Sequence, residues 1–311
     1  MDRKNFLKSS FMTALGVSLV SKFQGAESSG STHLTSAETA TARDLNHFLR
    51  SLVHVDEPSV DRIVIGDPGT KINKIGTCWQ PDWNTLRQAA SEGVNVMVVH
   101  EPTFYTHWDL DNPVNDFYRS PEHGRNQYVG MVETKKKWIT DNKMVIIRCH
   151  DVWDKMNYMG IPFALGKALG FETSDILAKE TYYNVYKLNE TRAIDVARNI
   201  AQRLKQFNQP GIAFYGDENC LVSSIGIGTG YICDPLNFSH LEPDMVIAIH
   251  DTVRTWVQTS FAKDSGKPLL VIDHGTSEEA GMIMLSDFLK KTISGKEVVH
   301  FAQGCTFQWV V

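Results

Sequence analysis

Polar and apolar positions along the chain switch repeatedly between the helical and the extended period. Between Ala42 and Val55, residues Leu45, Phe48, Leu49 and Leu52 fall on one helical stripe. Short, nearly unbroken apolar runs at Arg62–Ile65 and Ile75–Cys78 predict strands. Pro81–Glu92 then predicts a helix, Val94–His100 a strand, Met131–Thr140 a helix and Met144–Cys149 a strand, before a helix at Ile161–Leu169 closed by Gly170. The alternation continues with a strand at Tyr182–Leu188 and a helix at Arg192–Phe207, striped by Ile194, Val196, Ala197, Ile200 and Leu204. Strands are predicted at Ile212–Tyr215, Leu221–Ile227, Met245–His250, Leu269–Asp273 and Val298–Phe301, with helices near Val257 and from Glu278 to about Ile293. This order predicts an α/β fold with largely parallel sheets. No short-period repeat interrupts it.

Four of the apolar strands end alike. "VMVV" runs into His100 and Glu101; "MVIIRC" runs into His150 and Asp151, with Asp154 three residues on. "MVIAI" runs into His250 and Asp251; "LLVI" runs into Asp273 and His274, with Glu278 following. One such ending is an ordinary strand meeting a polar loop. Four point to a ligand site, because loops at the carboxyl ends of parallel strands converge over a rigid base. Imidazole and carboxylate without thiolate suit zinc, iron or manganese. In "HGTSEE", Thr276 and Glu279 fit a capping box, which leaves Glu278 free on the first helical turn and His274 on the strand end. His250, Asp251 and Asp273 are expected to orient ligands. "PTFYTHWDLD" adds Tyr105, His107, Trp108 and Asp109, either a lining for a polar ring or sugar or a core patch beside a solvated loop. "GIGTG" at 226–230 reads as a turn after a strand, since its context is not that of a phosphate cradle.

Composition narrows the field. The 311 residues are 42% hydrophobic and 22% charged, enough for one large or two small domains. The net charge of −5, with no basic block beyond Lys135–Lys137, argues against nucleic acid as the partner. Five cysteines with no CxxC pair exclude a disulfide framework and a cysteine zinc site. No internal apolar run reaches the roughly 18 residues of a membrane span. The first residues have the layout of an export signal: Arg3, Lys4 and Lys8, an apolar stretch from Phe11 to Val20, then small and polar residues. Arg3-Lys4-Asn5-Phe6-Leu7-Lys8 resembles the twin-arginine export motif with lysine for its second arginine. Ala26–Thr39 reads as a linker. A periplasmic location follows, reached by export of the folded chain.

Three segments carry a family resemblance. "LRQAASEGVNVMVVHEP" is similar to the approach to the His-His-Pro motif of the NIF-three-like dinuclear metal-centre family, also called GTP cyclohydrolase type 2 homologues. "CHDVWDKMNYMGIPFALGKALGF" resembles that family's second motif, and "LLVIDHGTSEEAGM" its C-terminal one. The resemblance runs in order from about Ala42 to the C-terminus. It implies that His100 is the first histidine of His-His-Pro, with Glu101 in place of the second. It further implies that Asp154 lies between two metals, with His150, His274 and Glu278 as the remaining ligands. Asp273 stands where the family has glycine.

Two interleaved α/β halves are implied, here divided as 1–39 (signal and linker), 40–183 and 184–311, with the metal site between the halves. Two divalent ions (Zn, Fe or Mn) and a toroidal hexamer are implied as well. Two metals about 3.5–4 Å apart would suit hydrolysis of a small polar or phosphorylated substrate. The alternative is a non-catalytic metal-binding ring used for storage or interaction. A di-iron oxidoreductase fits less well, because no Glu-x-x-His helix pair occurs.

Overall fold

The computed structural model describes residues 39–109, 122–231 and 233–310. The predicted export signal lies outside them. Two mixed sheets are formed. The first has the order β1-β4-β3-β2-β11, from β1 (Arg62–Ile65), β2 (Lys74–Cys78), β3 (Val96–Val99), β4 (Val145–Arg148) and β11 (Glu297–His300). The second has the order β5-β6-β8-β9-β10-β7, from β5 (Ile176–Lys179), β6 (Tyr183–Arg192), β7 (Ala213–Tyr215), β8 (Leu221–Gly228), β9 (Met245–Ile249) and β10 (Leu269–Ile272). Central pairs are parallel: β11 with β2, β2 with β3, β3 with β4, β8 with β9 and β9 with β10. The pairs β1·β4, β5·β6, β6·β8 and β10·β7 are antiparallel. The expected α/β architecture is therefore present, with antiparallel strands towards the sheet edges.

The central strands read as continuous apolar runs because both of their faces are covered. Every residue of β3, β4 and β9 is buried. Helix α1 (Ala42–Ser51) starts at a capping box between Thr41 and Asp44 and buries Ala42, Leu45 and Leu49. Helix α2 (Trp83–Ser91) is capped by the Asp82 carboxylate, which accepts from the Thr85 N–H. The sequence places α3 at Met131–Thr140, but it spans Glu122–Asp141 because its polar first turns hide the period. Helix α4 (Asp151–Lys155) is a single short turn, and α5 (Ile161–Ala168) opens with Pro162 in its first turn. Helix α6 (Ala193–Leu204) covers the second sheet through Val196, Ala197 and Ile200. Near Val257 the expected helix is a π turn at Thr255–Thr259 leading into α7 (Ser260–Ser265). No helix among the described residues is long and apolar enough to cross a membrane.

Helices α5 and α8 (His274–Thr292) join the two sheets. Ile161 of α5 and Met282, Leu285 and Leu289 of α8 pack into the core of the first sheet. Ala164 and Leu165 of α5 and Ala280 of α8 pack into that of the second. Chain order interleaves the sheets in the same way, since α8 leads from β10 in the second sheet to β11 in the first.

The two helices meet at Gly281, where an added Cβ would lie 2.4 Å from Ile161 Cδ1 and 3.0 Å from its Cα. Gly281→Ala should therefore cost about 1–3 kcal/mol through overpacking, read as a fall in unfolding midpoint. An unchanged midpoint would show that the helices are not in this close contact.

Candidate metal centre

Strand β3 ends in His100, which is fully buried, and in Glu101, only 9% exposed. Strand β4 ends at Arg148, after which Cys149 and His150 lead into α4 and Asp154. Asp61 secures the start of α4 by accepting from the backbone of Val152 at 2.7 Å and also of His150. Strand β10 hands directly over to α8, whose N-cap is Asp273. His274 is thus the first residue of α8, and Glu278 lies one turn on. This corrects the expectation of a helix starting at Glu278 under a Thr276–Glu279 box. Glu279 caps nothing: its carboxylate lies 2.7 Å from His300 Nε2 and accepts from the Gly304 N–H at 3.0 Å.

These strand ends converge. His100 Nε2 lies 3.3 Å from Glu278 Oε2 and 3.6 Å from Asp154 Oδ1. His274 Nε2 lies 3.2 Å from Glu278 Oε1 and 3.4 Å from Glu101 Oε1. His150 stacks on His100 with ring centres 4.4 Å apart, and its Nδ1 is 3.5 Å from Asp154 Oδ2. Donor atoms bound at about 2.0–2.2 Å to one ion stand roughly 3.0–3.5 Å from one another, so most of these spacings suit a shared cation. His100 Nε2, Asp154 Oδ1 and His274 Nε2 are buried with no hydrogen-bond partner. Orphaned polar atoms in one buried site are costly unless something charged satisfies them. Two candidate ligand groups emerge, His100–His150–Asp154 and His100–Glu101–Glu278.

Charges in the cluster hold one another. Burial drives the His100 imidazole down to about 3, against the pull of Glu278. Burial also disfavours the charged forms of His150 and His274, but nearby carboxylates outweigh it. Asp154, Asp151 and Glu101 raise His150 to about 9, while Glu278, Asp251 and Glu101 hold His274 well above its usual value. Burial, with Glu278 and Glu101 adding to it, raises the Asp154 carboxyl. Burial alone would raise Glu278 too, but His274 and His100 bring it down to about 2.

Several residues around the cluster carry little signal in the sequence. Arg148 has a fully buried side chain and reaches Glu101 Oε2 at 3.3 Å and Asp109 Oδ2 at 3.4 Å. It also donates to the carbonyls of His100, at 2.9 Å, and His107. Trp79 Nε1 donates to Glu278 Oε2 at 2.7 Å. In "MVIIRC" the arginine looks like the polar end of a strand; the clue is a lone cation beside four acidic strand ends. Among the expected orienting groups, Asp251 Oδ2 meets His274 Nδ1 at 2.7 Å, and His250 Nδ1 accepts from the His274 N–H at 3.3 Å. Asp273 accepts from the Thr276 N–H and from Thr306. His107 stands edge-on to His150 at 5.6 Å. Tyr105 packs instead on Tyr128, beneath the Lys135 ammonium. In "GIGTG", Gly230 adopts φ +70 and comes so close that a Cβ would lie 3.2 Å from Glu278 Oε1.

Fold and cluster together define a mixed α/β protein with a buried histidine–carboxylate site at its strand ends. The family model DUF34/NIF3 (NGG1p interacting factor 3) matches residues 43–304, and the chain belongs to that family. No curated protein matches it. Among solved structures, Staphylococcus aureus hypothetical protein SA1388 is similar at 17% identity and TM-score 0.65, over 87% of this chain and 99% of that one. Reduced HcgD from Methanocaldococcus jannaschii is similar at 15% identity and TM-score 0.62, over 84% and 97%. A Bacillus cereus protein related to NIF3 is similar at 11% identity and TM-score 0.65, over 88% and 99%. These identities speak to the fold alone.

Trp79→Phe keeps the ring and removes the donor that holds Glu278. Loss of such an outer contact should weaken metal binding about 10–100-fold, measured by titration against a chelating dye. Unchanged affinity would show that Glu278 is not a ligand in this arrangement.

Proposed function

We propose that the cluster binds two divalent ions, zinc, iron or manganese, and that the protein is a metal-dependent hydrolase of a small polar or phosphorylated substrate. The observation that carries this reading is the convergence of two buried, unpartnered imidazole atoms, His100 Nε2 and His274 Nε2, on the carboxylates of Glu278 and Glu101, with the unpartnered Asp154 Oδ1 3.6 Å from His100 Nε2. The donor set is hard. Burial keeps the neighbouring Cys149 thiol protonated, so thiolate is not on offer. An imidazole nitrogen has one lone pair, so His100 serves a single ion. Glu278, whose two oxygens face His100 and His274 separately, would hold the ions together with those histidines and with the Asp154 that the family resemblance points to.

Bound divalent ions would supply Lewis-acid activation of water and neutralisation of charge on the leaving group. The chain's own groups orient the ligands. Asp251 holds His274 by its Nδ1, Asp151 holds His150 by its Nδ1 at 2.8 Å, and Trp79 holds Glu278.

Asp154→Ala and His274→Ala should each lose at least about half of the bound metal by elemental analysis, because each removes a buried ligand. Full occupancy in both would sink the assignment. Metal-loaded protein should hydrolyse members of a phosphoester and amide panel and stop on chelation. Full metal with no turnover would favour the non-catalytic ring.

Export by the twin-arginine-like signal and assembly into a hexamer belong to the same reading. Recovery of the protein only in the cytosol would refute the first, and a light-scattering mass near one 35.0 kDa chain would refute the second.

A further inference from the structure

Asp154 has a second outlook. Besides facing His100, it lines a cavity of about 640 Å³ walled by α4, the loop after it, α5 and the β5–β6 turn. Lys155 and Lys179 stand on the wall, and neither is paired with a carboxylate among the described residues. Lys179 Nζ is held by Asn157 Oδ1 at 2.7 Å and lies 4.6 Å from the centre of the Tyr158 ring. Of the two acids on the same wall, Glu180 is engaged by His240 Nε2 at 2.6 Å, and Asp154 faces His100. Both lysines are thereby left on the cavity wall without a carboxylate partner.

The aromatic wall is as unusual. Tyr158 is 54% exposed, so core packing does not account for its ring. Its backbone is left-handed, at φ 61, a conformation that glycine takes freely and a bulky residue does not. Strain of this kind persists only where the surrounding structure over-determines the residue, and it clusters at ligand sites. Phe163 stands edge-on to it at 5.8 Å, making a two-ring platform. Asn184, also on the lining, is only 2% exposed, and its amide Oδ1 meets no hydrogen-bond partner. A buried amide with an idle atom on a cavity wall suits a polar edge of a bound molecule.

We propose that this cavity binds a small anion carrying a planar ring, an aryl or heterocyclic phosphate or carboxylate. The ring lies on Tyr158 and Phe163, its polar edge meets Asn184, and the anionic group is held by Lys155 and Lys179. The inference deepens the hydrolase reading by naming the substrate class, and rests on that reading only for the chemistry at Asp154.

The test is equilibrium binding to the full, metal-loaded chain, using phenylphosphonate and benzoate as non-hydrolysable probes and inorganic phosphate as the ringless control. One of the two ring-bearing probes should bind about tenfold or more tightly than phosphate, and which one does so identifies the anion. The double variant Lys155→Ala/Lys179→Ala should weaken that binding at least about tenfold while keeping its metal, since contacts to charged groups are lost. Tyr158→Gly should weaken it about fivefold or more while the unfolding midpoint holds or rises. A merely structural tyrosine would lower the midpoint and spare affinity. Equal binding by the lysine variant, or no preference for the ring, overturns the proposal. The two readings fail separately. Lysine-dependent binding with no turnover of phenyl phosphate supports the cavity and defeats the hydrolase. Turnover of phenyl phosphate indifferent to both lysines does the reverse.

Discussion

The ion pair between Arg148 and Glu101 is the contact on which the buried histidine–carboxylate cluster is built. Two unit charges 3.3 Å apart attract by about 5 kcal/mol at an effective dielectric constant near 20, and desolvation of both groups opposes much of that. Its importance is therefore geometric. One guanidinium ties the end of β3, through His100 O and Glu101, to the following loop, through His107 O and Asp109. Removing either partner would leave the other charged and buried, a loss of about 3–5 kcal/mol in comparable cases.

Charge explains why glutamate is tolerated where the resembling motif carries a second histidine. A carboxylate there adds one negative charge to a site already holding Asp154 and Glu278, and Arg148 adds the matching positive one. Arg148 also takes Oε2 of Glu101, which leaves Oε1 facing His274 at 3.4 Å and His150 at 3.9 Å. One oxygen is structural and the other is free for a ligand. The substitution thus makes the donor set harder, with part of its added charge offset by an arginine shared with Asp109, and in the proposed site it would favour metals that accept carboxylate oxygen readily.

The central strands and their endings were legible because parallel strands covered on both faces must be continuously apolar, and His-Glu or His-Asp at such an end stands out. What failed to show has physical reasons. Strand β5, "ILAK", is a half-exposed edge of four residues, too short to set a period. The start of α8 was misplaced because Asp273 reads as the last strand residue, whereas its side chain caps the helix and draws His274 into the first turn. Arg148 and Trp79 act through tertiary reach, Trp79 across 199 positions of sequence, and no local pattern encodes that. The family resemblance pointed to His100, His150, His274 and Glu278 from ordered motifs, and the structure brings these residues into one cluster. The charge partner that makes Glu101 workable appears only in three dimensions.

Glu279 shows how the end of the chain enters the centre. It is 1% exposed, and it holds His300 at the end of β11 and the Gly304 N–H just beyond. His300 in turn meets Thr77 Oγ1 on β2 at 2.9 Å, carrying the contact into the first sheet. Asp273, at the head of the same helix, accepts from Thr306. The segment after β11 therefore clamps the first two turns of α8, the turns that deliver His274 and Glu278. Those two residues come from a helix that begins on the second sheet, while His100, Glu101, His150 and Asp154 follow strands of the first. A register error of one residue in β11 would move His300 to the other face of its strand and release Glu279 as a buried, unpaired carboxylate. The interleaved path of the chain is thus what holds the two groups of cluster residues in mutual register.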